Sequence, residues 1–316
     1  MESPDFYEDG VLGGDMAQEE IKSFTCRSEC IHDLITALTS LLSANPKSAL
    51  PCLIEAQSDS FTFVVTGRSK CTQARASICM ELFSNYIVEA DENPVRISLH
   101  LTQLIDCLQL FGGSDTTIVN MSYSTVDNIF RVTLEDSGIV TSCDITTLSL
   151  EDIELEDSSL FSTFIEHEEV WSLLIKSEPL KGCVQELFDV SGANSVCVEL
   201  KSDGLNLSTV GIGESICQID IPHTSAAFVS FVRSASTSAL STVWNYPLSS
   251  IHLGMKALGH AKETFIRINS EGMMCIQHQL TTKDDRGYNF IDICTSAEEQ
   301  IEGERYEEPE EGKEEA

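Results

Sequence analysis

Residues able to do chemistry are plentiful in this chain, but their spacing narrows what that chemistry can be. Its 51 Asp and Glu side chains could converge on metal ions, as a nuclease requires. They concentrate instead at the chain ends, in the stretch 146–162 and at turn positions such as Asp59 and Asp203. Cys26 and Cys30 could form half of a zinc site, yet there is no C-x-x-C pair and no second Cys/His pair at zinc spacing. Gly211-Ile212-Gly213 lacks the rest of a dinucleotide fingerprint, no Gly-rich phosphate loop precedes a helix, and the histidines and serines form no nucleophile motif. The inventory points away from catalysis and implies neither cofactor nor metal.

Charge says more. The formal net charge is −32, and residues 1–20 hold seven acids and no base, while 298–316 hold ten acids against Arg305 and Lys313. Acid-rich segments with few apolar residues cannot recover the entropy of folding, so 1–20 and 297–316 are expected to be disordered. Such acidity argues against a general polyanion binder, because phosphate affinity needs clustered Lys and Arg. It leaves room for one basic face. The twelve cysteines mostly alternate with apolar residues, as Cys197 and Cys217 do, which fits buried thiols in a reducing compartment. The amino end has no basic and apolar leader pattern, and no run reaches the ~18 apolar residues of a membrane span. Both features argue against secretion and membrane insertion.

The elements that must position any site come in two sets. Ile97–Gly112 and Trp244–Gly259 read as one strand-into-helix unit written twice, 147 positions apart from Ile97 to Trp244. Leu101, Leu104, Ile105, Leu108 and Phe111 form one helical stripe, and Leu248, Ile251, Met255 and Leu258 the other. Phe61 and Phe63 likewise mirror Leu205 and Leu207 after matching Ser-Asp turns. Each half reads as strand, helix, five strands, helix, three strands, with Ser28 capping the first helix. We therefore expect an α+β chain of two similar domains, at 21–145 and 163–296. Between them 146–162 reads as an extended acidic connector whose Leu148, Leu150, Ile153, Leu155 and Leu160 imply that one edge lies on protein.

Two such domains and a crossing segment resemble the sliding-clamp fold of PCNA. Ser69-Lys70-Cys71-Thr72-Gln73-Ala74, Leu101-Thr102-Gln103-Leu104-Ile105-Asp106-Cys107-Leu108, Leu134-Glu135-Asp136-Ser137-Gly138-Ile139-Val140 and Lys176-Ser177-Glu178-Pro179-Leu180 are similar to segments of one clamp family. It is the Rad-one subunit family of the heterotrimeric nine-one-one checkpoint ring, and the likeness covers about residues 21–296. The resemblance implies two pore-lining helices per domain backed by antiparallel sheets, and a noncatalytic subunit that encircles DNA in the nucleus and recruits repair and signalling proteins. It also implies clamp-like partners of the Rad-nine and Hus-one types and a clamp loader. Duplex phosphates would then meet Lys181, Lys256, His260 and Lys262 without sequence readout. Partner peptides would meet Leu150, Ile153 and Leu155, and neighbouring subunits would pair with the strands holding Ile139, Val140, Ile145, Ile216 and Ile219. The first-half helices Ile31–Leu42 and Leu101–Phe111 contain no Lys or Arg, so direct DNA contact there is in doubt. The rival readings are a homotrimeric replication clamp, which should have more basic pore helices, and a metal-dependent 3'-5' exonuclease, favoured by the acids alone.

Overall fold

The computed structural model describes residues 23–42, 50–67, 70–90, 94–114, 116–150, 159–234 and 241–298. The first half runs β1 (Ser23–Ser28), α1 (Ile31–Thr39), β2 (Pro51–Ala56), β3 (Phe61–Thr66), β4 (Thr72–Ser77), β5 (Phe83–Glu89), β6 (Val95–His100), α2 (Leu101–Leu108), β7 (Ile118–Ser124), β8 (Ile129–Asp136) and β9 (Ile139–Thr146). After α3 (Leu160–Glu166), the second half runs β10 (Glu169–Lys176), α4 (Ser177–Phe188), β11 (Ser195–Lys201), β12 (Gly204–Val210), β13 (Ile216–Pro222), β14 (Phe228–Arg233), β15 (Ser241–Pro247), α5 (Leu248–Leu258), β16 (Ala261–Asn269), β17 (Met274–Thr281) and β18 (Tyr288–Thr295). The anticipated order of strands and helices is present in both halves.

Each half folds its strands into two antiparallel layers behind a helix pair, with α1 against α2 and α4 against α5. In the first half the layers are β5-β1-β7-β8-β9 and β4-β3-β2-β6; in the second they are β14-β10-β16-β17-β18 and β13-β12-β11-β15. The halves join where β18 pairs with β4, from Phe290 opposite Ser77 to Thr295 opposite Thr72, which makes one nine-stranded sheet. Strict inward alternation builds the cores: Phe61, Phe63 and Val65 point in from β3, and Val119, Met121 and Tyr123 from β7. Even an irregularity repeats, since β1 shifts register at Arg27/Ser28 against β5 and β10 shifts at Leu174/Ile175 against β14.

Several local expectations need correction. Ser28 does not cap α1: Cys30 holds the cap position, while the Ser28 hydroxyl donates to the Leu82 carbonyl and accepts from the Cys30 N–H. The buried face of α5 is formed by Leu248, Ser250, Leu253, Gly254, Ala257 and Leu258, with Ile251 half-buried; the side chain of Met255 lies outside the described residues. The face is wider than the anticipated stripe, and on its added side the Ser250 hydroxyl bonds Thr72 across the domain junction. The connector is not extended to residue 162. Ser159 accepts from the Phe161 N–H and starts α3, whose Phe164 packs into a small cluster with Met273, Cys275 and Cys294.

Candidate functional site

The basic side chains gather at one end of the second helix pair. Lys256 lies in the last turn of α5, His260 follows that helix, and Lys262 stands exposed at the start of β16. Lys181 is exposed on α4, and its ammonium lies beside the α5 terminus: a Cβ placed on Gly259 would be 3.8 Å from Nζ. Cations here complement the partial negative charge at a helix C-terminus. Partial burial there disfavours positive charge. Desolvation lowers the pKa of Lys256, and desolvation followed by the Lys256 charge lowers that of His252, whose ring meets the edge of Phe188 at 4.8 Å. The structure thus brings Lys181 beside the α5 terminus, with Lys256 in the last turn of that helix and His260 and Lys262 on the segment that follows it.

His260 also faces the first half. With His32, Asp33 and Thr36 of α1, and Lys283 and Asn289 beyond β17, it lines a polar crevice of about 460 Å³ at the domain junction. Asp33 is buried there and accepts the Lys283 backbone N–H at 3.2 and 3.4 Å, while burial raises its carboxyl pKa above the usual range. Sequence reading missed this junction. The described helix α1 holds no Lys or Arg, and nothing in the pattern announces that a loop 250 residues beyond Asp33 would reach that carboxylate.

Two strands that the sequence marked for pairing are free sheet edges. β9 ends the first half's outer layer and β13 ends the second half's four-stranded layer. Ile139 at 60%, Val140 at 62% and Ile216 at 68% exposure present apolar surface along them. Ile145 does not, at 5% exposure, and Ile219 is packed on the core. Period-two alternation turns both inward, so they can serve an edge contact through their backbones alone. Val210 and Ile212 add exposed apolar surface beside β13 that the sequence reading did not single out. Leu150 is exposed after β9; Ile153 and Leu155 lie outside the described residues.

No cluster of three or more His, Cys, Asp or Glu suited to a metal ion occurs among the described residues. Cys26 points into the core, where burial pushes its thiol pKa up, whereas Cys30 opens α1. No helix among the described residues is long and apolar enough to cross a membrane.

Comparison with known proteins agrees with this architecture. The model of the family described as repair protein Rad1/Rec1/Rad17 matches residues 23–280. The Cell cycle checkpoint protein RAD1 of Mus musculus is 28% identical over 243 residues, spanning 75% of this chain and 81% of the relative. The Homo sapiens protein of that name is 26% identical over 242 residues, spanning 75% and 80%. Among solved structures, Proliferating Cellular Nuclear Antigen from Entamoeba histolytica superposes with a TM-score of 0.66 at 10% identity, covering 87% of this chain and 99% of its own. PCNA from Thermococcus kodakaraensis gives 0.63 at 13% identity, covering 87% and 100%. The fold is that of a sliding clamp.

Proposed function

The chain belongs to the Rad1/Rec1/Rad17 repair-protein family, and from that premise we propose that it is a noncatalytic checkpoint clamp subunit that closes a ring around duplex DNA with two different clamp chains. The observation that carries this reading is a clamp fold whose two sheets end in open, partly apolar edges, β9 and β13. Partners of the Rad-nine and Hus-one types fill those edges, a loader opens the ring, and the assembly works in the nucleus. Retention on DNA is topological, so the subunit needs neither base readout nor a tight phosphate grip. The segment containing Leu150, Ile153 and Leu155 receives peptides of repair and checkpoint proteins.

Within the ring, Lys181, Lys256, His260 and Lys262 touch phosphates, and the first domain contributes less. A replication homotrimer fits poorly, because α1 and α2 carry no Lys or Arg in their described spans. Reversing charge at Lys181 and Lys256 together should weaken duplex binding by the assembled ring about ten-fold at low salt and reduce the salt slope by roughly two, as counterion release predicts. Ring assembly should persist. An unchanged affinity and slope would remove both lysines from the DNA-facing surface.

A further inference from the structure

Behind α4 and α5 the second half encloses a space that its own side chains do not fill. The cavity measures about 50 Å³ and is bounded by Leu180 and Val184 of α4, Ile251 of α5, Leu207 of β12, and Met274 and His278 of β17. It accompanies a change of core between the halves. Leu205 and Leu207 stand where the first half has Phe61 and Phe63, and two leucines fill less volume than two phenylalanines.

One polar side chain borders this space. Among the described lining residues every side chain but that of His278 is apolar, and Nε2 of its ring is buried with no hydrogen-bond partner. Gly254 leaves that nitrogen uncovered, since a Cβ at its place on α5 would stand 3.0 Å from Nε2 and 3.2 Å from Cδ1 of Ile293. The other ring nitrogen is engaged. Nδ1 lies 2.9 Å from the Thr264 hydroxyl, which in turn lies 2.8 Å from that of Ser177. Proton order along this chain sets what Nε2 offers: when Thr264 donates to Nδ1, Nε2 carries the hydrogen and is a donor, and in the reverse order it is an acceptor. Burial pushes the ring pKa down to about 3, so the imidazole is neutral in either order. A buried polar atom without a partner is costly, and a bonding group that reached it would relieve that cost.

The chemistry of the walls selects the occupant. A buried water ordinarily makes about three hydrogen bonds, and here it would meet one imidazole among apolar side chains. A molecule with a small apolar body and one hydroxyl suits both surfaces. Its carbons meet the aliphatic walls, and its hydroxyl, able to donate or accept, bonds Nε2 in either proton order. Size narrows the class further. An apolar cavity of roughly 150 Å³ takes benzene, so one of about 50 Å³ takes about three non-hydrogen atoms. We propose that this cavity is a binding site for an uncharged molecule of about that size bearing one hydroxyl, a short aliphatic alcohol, held by Nε2 of His278 between the helix pair and the sheet behind it. Occupancy adds contacts beneath the helices that carry Lys181 and Lys256. The site needs no partner chain and stands whether or not the ring reading does.

Ethanol is the probe, added to the full chain with its Ile, Leu and Val methyl groups isotopically labelled for NMR. The Leu207 and Ile251 methyl resonances should shift along a saturating curve with a dissociation constant in the millimolar range, the most that about three atoms can supply. Nuclear Overhauser contacts should run from the ethanol methyl to both. Gly254→Ala places a methyl group against Nε2 and should weaken ethanol binding at least ten-fold while distant methyl resonances keep their native positions. Propane, with as many non-hydrogen atoms and no hydroxyl, is the matched control. In His278→Leu the ratio of ethanol to propane affinity should fall about ten-fold, the worth of one hydrogen bond. That ratio cancels any change of cavity volume. Linear shifts without saturation, missing Overhauser contacts, a G254A chain that binds ethanol as the wild type does, or an unchanged ratio in H278L would each overturn the proposal.

Discussion

The two domains share a topology down to a common register shift, yet fill it with different chemistry. The first packs rings: Phe24 stacks on Phe61 at 5.0 Å, Phe61 meets Phe63 edge-on at 4.7 Å, and Phe83 and Tyr86 close the cluster. In the second, Leu205 and Leu207 replace Phe61 and Phe63, and behind the helix pair remains a largely apolar cavity of about 50 Å³. Polarity differs as well. Where the first domain has Val119 opposite Leu134, the second has Thr264 opposite His278. Thr264 bonds both Ser177 at 2.8 Å and His278 Nδ1 at 2.9 Å. His278 Nε2 finds no partner, and Gly254 makes room for it, since a Cβ there would stand 3.0 Å away. Burial pushes the His278 pKa down to about 3. One fold therefore tolerates a well-filled core and a looser, partly polar one. Close packing contributes the last increments of stability, while patterning specifies the topology.

The largest test of this contrast is truncation. Phe63→Ala should cost about 3–5 kcal/mol by chemical denaturation, and Leu207→Ala nearer 2–3, because Leu207 already borders empty space. An equal or larger cost at Leu207 would break the comparison. The pH dependence of stability comes next. With its folded pKa near 3 and an unfolded value near 6.5, His278 stays neutral in the fold while the unfolded chain takes up a proton. Its stabilising contribution is thus fully present above about pH 6.5 and lost as pH falls toward 3, by up to about 1.4 kcal/mol per unit. His278→Leu, the residue of the first domain, should remove that component between pH 4.5 and 6.5 as measured by urea unfolding. A slope that survives would assign it elsewhere.

Leu205→Phe, again borrowed from the first domain, should fill part of the cavity and raise stability by about 0.5–1 kcal/mol. A loss above about 1 kcal/mol would show that the cavity cannot accept a ring. The smallest effect belongs to the edges: Ile139→Ser and Ile216→Ser should change the stability of the isolated chain by less than about 0.5 kcal/mol. A larger cost at either position would mean that the side chain packs within its own subunit, and the likeness of the two edges would fail.

Legibility in the sequence followed locality. Alternation marked β3 and β12, and the repeat of Ile97–Gly112 at Trp244–Gly259 revealed two homologous domains, because periodicity along one strand or helix is a property of neighbours in the chain. Short segments carried the family, and exposed lysines on helix faces could be named. What escaped depended on residues far apart. The burial of Ser250 on α5 depends on its meeting Thr72, α3 on Ser159 and an apolar cluster drawn from β17 and β18, and the polar crevice on a late loop reaching Asp33. Inward or outward sense at the edges also waited for the fold, which hid Ile145 and Ile219 while leaving Val140 and Ile216 open. By itself the sequence determined the order of elements, the duplication and the acidic balance. Only the tertiary structure decided which strand would be the joint between halves and which would be left unpaired, because backbone donors and acceptors are alike in every strand and only their placement in the sheet leaves them unsatisfied.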